Sequence, residues 1–184
     1  MSDVKNVGAG KPKIGGAISV APLGSKVPTD TVGKLDVAFK NLGYVGEDGT
    51  SNERKSDNES TKAWGGDVVL VSNTGSEDTF KFNLIEGLNT EVLKTVFGEK
   101  NVTGTLEAGI TVKANNIPQT PKAWVIDLVV GEAAKRIVIP NGTIIEVGEM
   151  KYNDKDPIGY PVTVSATPDA EGNTHYEYIK KAGA

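Results

Sequence analysis

The stretch "DTFKFNLIEGLNTEVLKTVFGEK", residues 78–100, holds two periodicities in succession. Phe80, Phe82 and Leu84 alternate with Lys81 and Asn83, the period of two that gathers apolar side chains on one face of a strand. Beyond Gly87 the spacing changes. Leu88, Val92 and Val96, with Leu93 and Phe97, recur four apart and predict a helix over about 88–97. Asn89 and Thr90 are capping candidates, and Glu91 suits the positive end of the helix dipole. Gly98 follows the last apolar residue as a natural stop. So short a helix is unstable alone in water, so it has to pack on a sheet.

Period two continues on both sides. "AWVIDLVV" (123–130) puts Trp124, Ile126, Leu128 and Val130 on one face and Asp127 on the other. "KRIVIP" (135–140) and "TIIEVGEMKY" (143–152) read as two strands joined by a tight turn at Asn141–Gly142. "YPVTVSATP" (160–168) and "THYEYIKK" (174–181) read as a final pair around the turn "DAEGN". Further strands are expected at 15–22, 66–72 and 108–114. A second helix over Asp30–Gly43 has Val32, Leu35, Phe39 and Leu42 in line, but Gly33 weakens it. Many short strands with turn signals between them argue for a mainly β fold, an antiparallel sandwich or barrel with one packed helix.

One segment breaks the pattern. "GEDGTSNERKSDNESTK", residues 46–62, has no large apolar side chain and is expected as a long polar loop. The domain organisation that follows is an N-terminal arm over 1–14, one β domain over 15–180 carrying that loop, and a C-terminal tail over 181–184. With 184 residues, one core of useful size is within reach. The Gly-broken start "MSDVKNVGAGKPKIGG" reads as an arm, with Lys5, Lys11 and Lys13 as its cations, and not as a signal peptide. No apolar run is long enough to span a membrane as a helix.

Charge is uneven. Residues 1–45 carry six Lys against three Asp, residues 46–62 three basic against five acidic groups, and residues 63–184 eleven against sixteen. A body that grips nucleic acid by its phosphates would be basic. With no cysteine there is no disulfide, thiolate metal site or Cys nucleophile. The single histidine, His175, sits in a strand pattern and reads as structural or exposed, and no Ser–His–Asp set can be assembled around it. Asp154 and Asp156 lack the closing carboxylate of a calcium loop and read as a turn. Trp64 and Trp124, with Tyr152, Tyr160, Tyr176 and Tyr178, read as core and strand packing. No cofactor site is visible.

The blocks "GGAISVAPLGSKVPTD", "LDVAFKNLGYVGEDG", "KAWGGDVV" and "DTFKFNLIEGLNTEVLKTVFG", in that order, resemble the major tail tube proteins of long-tailed, non-contractile phages, especially those of Gram-positive hosts. "GYPVTVSATPDAEGN" is similar to the family's ending. The resemblance implies a virion protein, not an enzyme, that forms hexameric rings whose strands close into one barrel around a channel. Stacked rings would make a tube through which DNA passes without specific binding. Other partners implied are a tape measure protein inside the tube and terminator and distal tail proteins at its ends. The long loop would then reach a neighbouring subunit or ring through Glu47, Asp48, Glu53, Arg54, Lys55, Asp57 and Glu59. Acids inside strand runs, Asp67, Asp127, Glu146 and Glu149, become candidates for the channel wall. Two rival readings share the strands: a monomeric or trimeric β-sandwich binding module such as an adhesin or capsid decoration domain, and a glycosidase using two carboxylates.

Overall fold

A computed structural model describes residues 2–181, and for Lys5 the backbone alone. The last three residues of the expected C-terminal tail, 182–184, lie outside the described residues. The chain is mainly antiparallel β with one α-helix. After a 3-10 turn at Val4–Asn6 come β1 (Gly10–Pro12), β2 (Ile18–Pro22), β3 (Lys40–Asn41), β4 (Val45–Lys62) and β5 (Val68–Leu84). The helix α1 (Thr90–Phe97) and a 3-10 turn (Glu99–Asn101) follow. The remainder is β6 (Val102–Thr105), β7 (Gly109–Val112), β8 (Lys122–Val130), β9 (Ala133–Val147), β10 (Tyr160–Ala166) and β11 (Tyr176–Lys181).

One large sheet runs β3-β2-β8-β9-β10-β5-β4, with β1 added to β8 and β11 to β9. β6 and β7 form a separate hairpin. The core lies on the face where Trp124 and Ile126 of β8, Ile137 and Ile139 of β9, Val162 and Val164 of β10 and Phe80, Phe82 and Leu84 of β5 converge. Each such side chain contributes about 1.5–3 kcal/mol when fully buried. The helix closes this face with Val92, Leu93 and Val96. Asn89 caps it by accepting from the Glu91 amide at 3.0 Å, and the Gly98 amide donates to the Lys94 carbonyl. Leu88, expected in the apolar stripe, precedes the cap and is exposed.

The opposite face of β8 and β9 holds a buried ion pair. Asp127 and Arg136 are register partners, and the guanidinium clasps both carboxylate oxygens at 2.6 and 3.1 Å. Its remaining nitrogen donates to the carbonyls of Asp30 and Gly33, each at 3.0 Å. That grip accounts for the missing second helix. Carbonyls committed to Arg136 do not serve a helical ladder, and the Asp30 carboxylate instead accepts from the Val32 and Gly33 amides in a local turn.

Two strand readings are corrected. Asn141–Gly142 is no turn, because β9 runs through it without interruption. The glycine is there for space: a Cβ at Gly142 would meet Trp124 Cδ1 at 2.8 Å, and the indole N–H donates to the Gly142 carbonyl. The final two strands are also not paired with each other. β11 lies on the first half of β9 and β10 on the second, the latter with a bulge that leaves Ile145 unpaired.

Candidate assembly surface

The polar segment 46–62 is not a loop. It is strand throughout, and together with β5 it forms a two-stranded arm. At the base, Asn52 and Thr50 pair with Phe80 and Phe82, which are rooted in the core. Farther out, Arg54 faces Asp78 and Lys55 faces Glu77 across the strands. From Glu53 to Lys62 every residue is exposed. At about 3.3 Å per residue, those ten residues project roughly 33 Å. An isolated hairpin is marginal in water, so the arm depends on its root. Its outgoing strand is polar on both faces, hence the missing alternation: both faces meet solvent.

The root is organised by Asp78, the first residue of the buried stretch of β5. Asn52 Nδ2 donates to one carboxylate oxygen at 2.7 Å. Thr174 Oγ1 and His175 Nδ1 donate to the other at 2.5 and 2.6 Å. The His175 ring stands edge-on to Phe80, with centroids 5.2 Å apart. Burial pushes the Asp78 carboxyl up, but the bonds from Thr174, Asn52 and His175, with the histidine's charge, outweigh it and hold the group below its usual value. Of the two readings of His175, structural or exposed, the structural one holds: it ties the residues just before β11 to the base of the arm.

The tip is a turn at Ala63–Asp67 in which the Ala63 amide donates to the Asp67 carbonyl. Trp64, expected in a core, has its whole surface in solvent here. Val68, Val69, Leu70 and Val71 follow on β5, each more than half exposed. Leu70 and Val71 sit in regular pairing opposite Thr61 and Ser60, so they point to opposite faces. A strand apolar on both faces reads as one buried on both sides. Scattered exposed apolar residues mean little, whereas a contiguous run with a tryptophan marks an interaction site.

The other expected site residues fall in distinct places. Glu47 and Asp48 lie in a four-residue excursion where the register jumps from Val45–Leu84 to Thr50–Phe82. Glu53 forms ion pairs with Lys55 at 3.3 Å and Lys81 at 3.7 Å, exposed contacts worth little. Asp57 and Glu59 are exposed along the arm, and Asp67 is at its tip. Asp127 is turned to the interior pair with Arg136 and receives Lys13 at 3.2 Å, so its carboxylate is buried in the single chain. Glu146 and Glu149 are exposed, the first accepting from Thr163 and the second beside Lys151 at 3.6 Å. Lys11 is exposed within β1, which is paired along β8 of its own chain. The Lys5 side chain lies outside the described residues.

Among the described residues no three His, Asp or Glu side chains are grouped to hold a metal ion. The molecule's distinctive surface is thus an uncovered arm on a sheet-and-helix body, the make-up of a subunit that completes itself against other proteins. The family model described as "Phage tail tube protein" matches residues 13–184, nearly the whole chain, and the chain belongs to that family. It is a structural component of the phage virion, not an enzyme. No curated protein matches it.

Proposed function

We propose that the chain assembles with itself into hexameric rings that stack as the tail tube, the conduit for DNA during ejection. The observation that carries this reading is the arm. It leaves Trp64 and Val68–Val71 uncovered in the single chain, and a tube supplies the partners that cover them. The arm and whatever receives it are different patches, so the contact is head-to-tail, the type that closes rings by rotation or extends filaments. The polar flank, Glu47 through Glu59, would keep the free chain soluble and then line the contact between subunits or rings. The basic N-terminal residues Lys5 and Lys11 would meet acidic neighbours.

Glu146, Glu149 and Asp67 are the acids we assign to the channel wall, since a polyanion slides past like charge where lysines would hold it. A tape measure protein would fill the channel before DNA, with terminator and distal tail proteins at the two ends. Electron microscopy of the purified chain over a range of concentrations, with light scattering alongside, is the test. Uniform tubes or six-fold rings are expected. A strict monomer at every concentration, with and without tail-tip complex, overturns the reading.

A further inference from the structure

The arm tip needs a receiving surface, and two clefts of the body compete for it. One, of about 490 Å³, lies between α1, β2 and the start of β8, with Leu23, Pro121, Lys40 and Lys122 in its wall. The other, of about 760 Å³, lies between β1 and the root of the arm, with Glu47 and Asp48 at its edge. Both fall in the range of roughly 300–1,000 Å³ that admits a bicyclic ring, so size does not choose between them.

Charge does. The only charged group in the tip turn is Asp67. In the first cleft Lys94 is taken by Glu91 at 3.2 Å, leaving Lys40 and Lys122 against Glu99. In the second, Lys13 is taken by Asp127, leaving Glu47 and Asp48. An aspartate is attracted to the first and repelled by the second. The first also offers cations to an indole face, a contact that strengthens as the cation loses water. Burial lowers the Lys122 amine below its usual value, as expected of a cation short of solvent. Leu23, on the rim, is an exposed leucine with no cover in the single chain. Reach agrees. A body of about 150 residues is roughly 38 Å across, against an arm of about 33 Å, so the tip spans most of one neighbour.

We propose that Trp64 and Asp67 of one copy dock in the cleft between α1 and β2 of a second copy, the indole against Leu23 and Pro121 and the carboxylate toward Lys40 and Lys122. This rests on the self-assembly reading above and names the surface it uses.

A chain without cysteine allows a direct test. Gly65 has open space around its Cβ position, and Thr120 lines the cleft. A chain carrying both Gly65→Cys and Thr120→Cys, assembled and then oxidised, should give a ladder of cross-linked oligomers. Either single variant should stay uncross-linked, because its one thiol faces a residue with none. Tubes in which the ladder appears instead with Gly65→Cys and Asp48→Cys, or with neither pair, overturn this docking and leave the tube reading standing. Absence of any assembly by the unmodified chain overturns both. Independently, Trp64→Ala should raise the concentration needed for assembly about thirtyfold, the loss typical of a central aromatic anchor. Asp67→Lys should also impair assembly, and Lys40→Asp in the same chain should restore it. Failure of that rescue, with Trp64→Ala assembling normally, counts against the cleft.

Discussion

From Thr79 to Leu84, β5 lies between β4 and β10, and Phe80, Phe82 and Leu84 are buried. From Val68 to Glu77 it pairs with β4 alone, and Val68–Val71 face solvent. The backbone geometry is that of one strand, and both halves carry branched or aromatic side chains. What differs is whether a second layer is present. The inner half builds the core of the single chain, and the outer half adds nothing to it. The same residue types are therefore buried in one half and left in solvent in the other.

Substitutions can break that comparison, beginning with the largest effect. Phe80→Ala should cost about 3–5 kcal/mol in denaturant unfolding of the free chain, since the cavity lies inside the core. Arg136→Ala should cost up to about 3–5 kcal/mol, because it leaves the buried Asp127 carboxylate with the half-exposed Lys13 as its one cation. It should also release the segment around Asp30–Gly33, visible as faster amide exchange there. Gly142→Ala should cost about 1–3 kcal/mol by forcing the Trp124 indole aside, with a shift in its fluorescence as the readout.

The root of the arm gives a pH dependence. The folded Asp78 carboxyl titrates below the usual aspartate value of 3.8, so its contribution is complete above that value and is lost as pH falls through the lower, folded one. Asp78→Asn should therefore be less stable than the unmodified chain at pH 7, and the gap should close below about pH 3.8. A gap that persists in acid would mean the amide fails for reasons of shape. At the other extreme, Leu70→Ala should move the stability of the free chain by no more than about 0.5 kcal/mol. The same change should impair assembly. An effect of Phe80→Ala size at Leu70 would show that the outer half already has a cover in the single chain.

Much of the body was legible in the sequence, because burial on one face writes a period of two or of four. The Phe80–Leu84 strand and the Asn89-capped helix are read correctly on that ground. The arm was not, because a ribbon wet on both faces writes no period at all, and residues 46–62 passed for a loop. Trp64 was misplaced for a related reason: an aromatic that stands in solvent at the tip of an arm looks the same in sequence as one buried in a core. Asn141–Gly142 misled because a glycine admitting an indole is spelled like a glycine making a turn. His175 could be identified as solitary, but its partner Asp78 is 97 residues away, joined only by the sheet.

The pairing pattern of β4 and β5 makes the arm's length a quantised property. Side chains alternate with every residue, so adding one residue to each strand would invert the tip and turn Trp64 away from any site it had met before. Adding two to each would restore its facing and lengthen the reach by about 6.6 Å. No residue from Lys55 to Glu77 belongs to the core cluster, so such a change leaves the core as it is. The arm can therefore lengthen only in discrete increments if its tip is to keep its facing.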